Sequence, residues 1–279
     1  MTSTRAAEAA ESTGNMPRLR WWREALALGL FYAIYSFTRN QFGSAAVDES
    51  VAHDNAIVVI DIERALGLYI EADVQDLFID WTAFIQFWNL FYGTFHFVVT
   101  AFALIFLYRR FPIDYPRWRN SGLVTTALGL VGFSLFPLMP PRLLGDCGEF
   151  GACIADSPYI DTVSEIGGLW SFDSGTAQKL SNQFAAMPSL HFGWSMWCAL
   201  ALYPRLRHPA ARIAIAAYPA LTLFAIVVTA NHYWLDAVGA LAVLAVGLVV
   251  ADRIERRRGS GPIWPRASRR GLSRSTVAE

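Results

Sequence analysis

TAFIQFWNLFYGTFHFVVTAFALIFLY, residues Thr82 to Tyr108, contains no Asp, Glu, Lys or Arg. A helix rises about 1.5 Å per residue and the hydrocarbon core of a bilayer is about 30 Å thick, so this run crosses it with some tilt. Its main polar interruptions are Asn89 and His96. Five further apolar runs surround it: Trp22 to Thr38, Leu123 to Met139, Leu190 to Tyr203, Ile213 to Thr229 and Ala237 to Val250. The first, with Arg18, Arg20 and Arg23 before it, has the flanks of a signal peptide. Trp21, Trp22 and Tyr35 as interfacial anchors and the lack of a small-x-small cleavage site favour a retained helix. Composition agrees: 54% of the 279 residues are hydrophobic and only 16% charged, with a mean hydropathy of +0.32. Soluble domains carry roughly 25% charged residues. The expected fold class is therefore an all-α membrane protein, a bundle of six transmembrane helices.

Charge distribution orients the bundle. The formal net charge is zero, which argues against a nucleic-acid partner. Of the 23 basic residues, however, all but Arg39, Arg64, Arg142 and Lys179 fall in the leader, the loops after spans two and four, and the tail. Basic residues collect on the cytoplasmic side. Both termini are then cytoplasmic and loops one, three and five face outward, as expected of a multi-pass plasma-membrane protein. The expected organisation is a disordered leader over residues 1–20, a membrane domain over 21–254 and a basic cytoplasmic tail over 255–279.

Two outward segments add to the bundle. In residues 41–80, Ile70, Val74, Leu77, Phe78 and Trp81 recur at helical spacing while Glu71, Asp73, Asp76 and Asp80 lie mostly off that stripe. Val59, Ile62 and Leu66 form a similar stripe, with Gly67 between the two. This pattern predicts amphipathic helices in the outer interface, either as a lipid gate or as a cap on the bundle. The outer loop, residues 140–188, contains Cys147 and Cys153, whose spacing permits a local disulfide in an oxidising compartment; two free thiols are the alternative. Cys198, inside span four, reads as a buried apolar filler.

The ionisable groups at the outer span ends carry the candidate chemistry. His191 opens span four in AAMPSLHFGW, and His232 lies between spans five and six in ANHYWLDAVG, so both stand at one depth. His232 and Asp236 are four apart, which places them on one helical face. A carboxylate accepting the Nδ1 proton leaves Nε2 with an outward lone pair, as a nucleophile or base requires. Ser189 caps the next helix, whose free N–H groups make an anion site beside His191. Asn231 flanks the same place. Asp161, in YIDT, either binds a polyol headgroup or caps a short helix, and His96 with Asn89 reads as a structural network. His53 and His208 read as surface residues.

PSLH followed about forty residues later by H-x3-D resembles the second and third motifs of the type 2 phosphatidic acid phosphatase superfamily. ERALGLYIEADVQ, YPRWRN, FPLMPPRLL and YIDT are similar to bacterial members of its inositol phosphorylceramide synthase-like branch, and the resemblance spans residues 25 to 250. It implies a six-helix bundle and metal-independent phosphoryl chemistry through a phosphohistidine, with no cofactor. His232 is then the nucleophile, Asp236 its orienting partner and His191 the acid for the leaving group.

Three departures bear on the substrate. Ile226 stands where the phosphatase pattern has an arginine six residues before the histidine, Leu190 replaces the glycine of PSGH, and Pro140-Pro141-Arg142 stands in place of a K-x6-R-P motif. Positive charge must come from Arg142, with Arg39 and Lys179 as further candidates. A smaller cationic clamp suits a singly charged phosphodiester better than a dianionic monoester. The expected function is a lipid phosphotransferase moving a polar phosphate headgroup, inositol phosphate for example, between membrane lipids at the outer leaflet. Its donor is a phospholipid or polyprenyl phosphate and its acceptor a lipid or polyol. The alternative is a lipid phosphate or polyprenyl-phosphate phosphatase. A metal enzyme binding through His191, His232 and Asp236, and a transporter using His96, are weaker readings; no internal repeat or pair of broken spans supports transport.

Overall fold

The computed structural model describes residues 19–41, 48–145, 154, 157–167 and 183–258. Cys147, Cys153 and Lys179 lie outside the described residues, as does the side chain of Arg39. The described chain is helical and contains no strand; one isolated bridge pairs Leu138 with Ala185.

Helices occupy all six apolar runs: α1 (Trp21–Gln41), α4 (Thr82–Arg110), α5 (Tyr115–Leu135), α7 (Leu190–Leu202), α8 (Pro209–Val228) and α9 (Trp234–Arg257). Between them lie α2 (Glu49–Ala65), α3 (Glu71–Phe78) and the one-turn α6 (Thr162–Glu165). By length and composition α4, α8 and α9 can cross a membrane, whereas α7 is apolar but only 13 residues long. The boundaries follow local chemistry. Pro209 opens α8, and Pro116 lies in the first turn of α5, where a missing N–H costs little. Asp48 caps α2 through the Ser50 N–H, and Gly67, at φ +68°, makes the left-handed exit that ends it.

α9 packs chiefly against α5 and also against α7, which in turn packs on α4 and α8. The α5 contacts depend on glycine and small residues. A Cβ on Gly247 of α9 would stand 2.3 Å from the Thr125 hydroxyl of α5, and one on Gly132 of α5 would stand 2.5 Å from the Pro188 ring. Trp118 and Trp197 fill the adjoining core, the Trp197 indole donating to Ser121 and to the Trp118 carbonyl.

Charged contacts gather at the end of the bundle where α4 finishes and α5 begins. There Arg117 faces Asp252 at 3.7 Å, Arg205 pairs with Asp114 at 2.7 Å, Asn120 donates to Glu255 at 2.8 Å and Arg119 bonds to Glu24. His191 and His232 belong to the opposite end, at the start of α7 and just before α9. An apolar cavity of about 230 Å³ lies among α1, α4, α5 and α7, lined by residues including Phe31, Tyr35, Leu104, Leu123 and Trp194.

Three expectations change. Span three as a helix begins at Tyr115 and stops at Leu135, short of Met139, because the chain turns at Phe136 and commits the next N–H groups elsewhere: Leu138 to the Phe184 carbonyl and Met139 to that of Ala52. α9 continues through Arg257 into the expected tail, since buried Glu255 packs beside Asn120. In α3 the buried residues are Glu71 and Gln75, while Ile70, Leu77 and Trp81 of the apolar stripe are exposed. Polar groups there satisfy backbone and side-chain partners inside the protein, while Val74 and Phe78 of the stripe pack against the core, Phe78 on the Phe84 and Phe224 rings.

Candidate active site

The turn between α8 and α9 is built from backbone. Thr229 closes α8, and the N–H groups of Asn231 and His232 both donate to the Ile226 carbonyl, at 3.0 and 3.1 Å. Ala230 takes a positive φ of 51° to allow this reversal. Ile226, at the position where the resemblance calls for arginine, is fully buried among Phe192, Val227, Ala237 and Ala240. Ile226 itself brings no charge to the turn.

His232 is almost fully buried, and its Nδ1 lies 3.0 Å from Asp236 Oδ2. The same Oδ2 accepts the Tyr233 N–H at 3.1 Å, which fixes the carboxylate. A carboxylate oxygen that already takes one donor is best matched by Nδ1–H, so Nε2 keeps its lone pair. That Nε2 is buried and has no hydrogen-bond partner among the described residues. An imidazole held so can attack an electrophile.

Across from it stands His191, its ring centroid 5.6 Å from that of His232 at an interplanar angle of 64°. Ser189 caps α7 through the Phe192 N–H, as the sequence predicts, and is fully buried. Its own N–H donates to the Asp236 carbonyl at 3.0 Å, which ties the start of α7 to α9. Leu190, in place of glycine, is accommodated by Gly129 of α5, whose absent Cβ would stand 2.6 Å from the leucine side chain.

Two further rings join this cluster. Tyr92 stacks on His191 at 4.2 Å and lies 6.2 Å from His232; His96 meets His191 edge-on at 4.4 Å. The Tyr92 carbonyl accepts a hydrogen bond from His96 Nδ1 at 2.9 Å, so one turn of α4 backs the His191 side of the site. The sequence reading missed Tyr92 and assigned His96 to a network with Asn89. The available signal was their spacing of four on one face of the long apolar run. Asn89 instead holds α6, donating to the carbonyls of Thr162 and Gly167 and accepting from the Thr162 hydroxyl.

Arg142 and Asp161, read separately in the sequence, are partners. Arg142 donates to Asp161 Oδ2 at 2.5 Å and to Gln183 Oε1 at 3.0 Å. Its backbone N–H bonds to the carbonyl of Ala230, two residues before His232. Its Nε is buried with no hydrogen-bond partner among the described residues. Asp161 also caps α6 through the N–H groups of Val163 and Ser164. Asn231 lies at the site but directs its amide to Thr229. The structure therefore brings together His191, His232, Asp236, Ser189 and Asn231, with Arg142 and Asp161 as a joined pair on the adjoining segment. Arg39 is in the last turns of α1, and neither its side chain nor Lys179 is among the described residues.

Among the described residues no group of three or more His, Cys, Asp or Glu side chains is placed to hold a metal ion. No curated protein and no solved structure matches the chain. Residues 57–250 do match a family, and that match runs from the middle of α2 into α9 as far as Val250, taking in both histidines and the aspartate. The chain belongs to the PAP2 superfamily.

Proposed function

We propose that the protein is a membrane lipid phosphotransferase that carries a polar phosphate headgroup from one lipid to another through a phosphohistidine. The observation carrying this reading is the buried, unpartnered Nε2 of His232, oriented by Asp236 and facing His191. His232 Nε2 attacks the phosphorus of a phosphodiester, forming a P–N bond as the P–O bond to the donor's lipid alkoxide breaks. Protonated His191 gives that oxygen its proton. In the second half an acceptor hydroxyl loses its proton to His191 and attacks phosphorus, and the P–N bond breaks to restore neutral His232.

The charge beside the site favours a diester over a monoester. Arg142 is already opposed by Asp161, and Ile226 supplies none, so little positive charge remains for a second phosphate charge. The apolar cavity that shares Trp194 with the His96 contact suits a hydrocarbon tail. In this reading six helices cross the plasma membrane, with α2 and α3 in the outer interface. The basic end is cytoplasmic and the histidines open outward.

Phosphatase action uses the same first half, with water opening the phosphohistidine, and membership in a superfamily of phosphatases and phosphotransferases accords with either. The experiment that separates them uses purified protein in vesicles with a labelled phosphatidylinositol donor and a lipid alcohol acceptor. Labelled headgroup in the acceptor, lost in His232→Ala, is expected. Release of inorganic phosphate from lipid monophosphates without any acceptor, in place of transfer, establishes the phosphatase reading instead.

A further inference from the structure

Glu63 on α2 and Glu71 at the start of α3 are both completely buried, although neither belongs to the histidine cluster. Each carboxylate reaches the beginning of α9. Glu71 Oε1 accepts the Trp234 N–H at 2.9 Å, and Glu63 Oε1 accepts the Leu235 N–H at 3.1 Å. Together with Asp236, which takes the Tyr233 N–H, three carboxyl groups receive three consecutive backbone donors directly after His232. Glu71 Oε2 also accepts the Ile70 N–H, and the Trp234 indole donates to the Leu68 carbonyl, so the α2–α3 turn is fastened to the same place.

Three adjoining buried carboxyl groups cannot all be charged without strong repulsion. The groups facing the pair are Asp236 and Tyr233 from α9 and its cap, Tyr69 from the α2–α3 turn, and Tyr159 from the outer loop, its hydroxyl 2.8 Å from that of Tyr69. None of these is a cation; the Arg64 guanidinium lies over the Tyr69 ring. Burial first, and then the facing Glu71 charge, pushes the Glu63 carboxyl up to about 9. Burial raises Glu71 as well.

We infer that Glu63 and Glu71 are positioning residues for the phosphoryl-transfer site, an acid–carboxylate pair sharing one proton that fixes the first turn of α9 and with it the His232–Asp236 pair. The assignment rests on the proposed role of His232. A neutral Glu63 keeps its carbonyl on Leu235 without adding a second charge beside Glu71. Loss of that proton puts two carboxylates together under the helix start and displaces it.

The test compares full-length wild type with Glu63→Gln, which preserves the carbonyl acceptor and cannot ionise, and with Glu63→Leu, which removes the acceptor. Above pH 9 wild-type activity is expected to fall about tenfold more per pH unit than that of Glu63→Gln, which keeps its activity at pH 7.5. Glu63→Leu is expected to be inactive at every pH. An alkaline limb unchanged in Glu63→Gln, or full activity in Glu63→Leu, overturns the assignment. The thermal unfolding midpoint supplies a readout independent of turnover. Folded Glu63 holds its proton between pH 4.5 and about 9 while the unfolded chain has lost it, so stability falls as pH rises through that window. Glu63→Gln removes this part of the slope, and an identical slope in both proteins overturns the shared proton. If wild type transfers no phosphate in any form, the functional reading fails, while the unfolding slope still reports on the pair.

Discussion

At the residue scale the site depends on which imidazole nitrogen carries hydrogen. Asp236→Asn retains most of the shape but replaces a charged acceptor with an amide that must serve both His232 and Tyr233. Activity is expected to drop about 100-fold or more, and 31P NMR of rapidly quenched protein should show less phosphohistidine. A variant with undiminished turnover contradicts the orienting role. His191→Ala is expected to lose about 100- to 10,000-fold with lipid diesters and much less with a p-nitrophenyl ester, whose leaving oxygen needs no proton. Equal losses on both substrates count against His191 as the acid. The histidine–aspartate pair was legible in the sequence because its geometry is local, one turn of helix. Glu63 and Glu71 were not. Glu71 read as part of the polar side of an amphipathic helix and Glu63 was not singled out; only the approach of α9, more than 160 residues later, places both carboxyl groups inward.

At the scale of elements, the six apolar runs gave the helices, and the serine before Leu190 gave the start of α7. What sequence could not supply was how closely the helices approach. Gly132→Ala pushes a methyl group into the Pro188 ring, a rigid neighbour, and is expected to cost about 1–3 kcal/mol in detergent unfolding and to lower activity by moving His191. Gly122 on the same helix is the control. A Cβ there meets the Trp197 ring at 3.5 Å, an ordinary contact, so Gly122→Ala should be neutral or stabilising by up to about 1 kcal/mol. Comparable losses in both variants would show that the Pro188 contact has no special weight. The end of α5 was misjudged for a related reason: Leu138 and Met139 remain apolar, but their backbone N–H groups are claimed by Phe184 and Ala52 rather than by a continuing helix.

For the whole molecule, the cluster of Arg117, Arg119 and Arg205 and the His191–His232 pair occupy opposite ends, and the asymmetry of charge in the sequence was the sign of it. A single cysteine placed at Arg258, in a background with Cys147, Cys153 and Cys198 replaced, is expected to react with an impermeant maleimide only after the membrane is opened, and one placed at Asp80 before. The reverse pattern would invert the orientation. The hydrogen bond from the Ser189 N–H to the Asp236 carbonyl has a consequence at this scale. It ties together the peptide groups at the tips of α7 and α9, beside His191 and His232, so the spacing of the two histidines is expected to hold when those helices tilt. Bilayers of different thickness impose such tilts. Turnover should accordingly vary little between vesicles of short- and long-chain lipids.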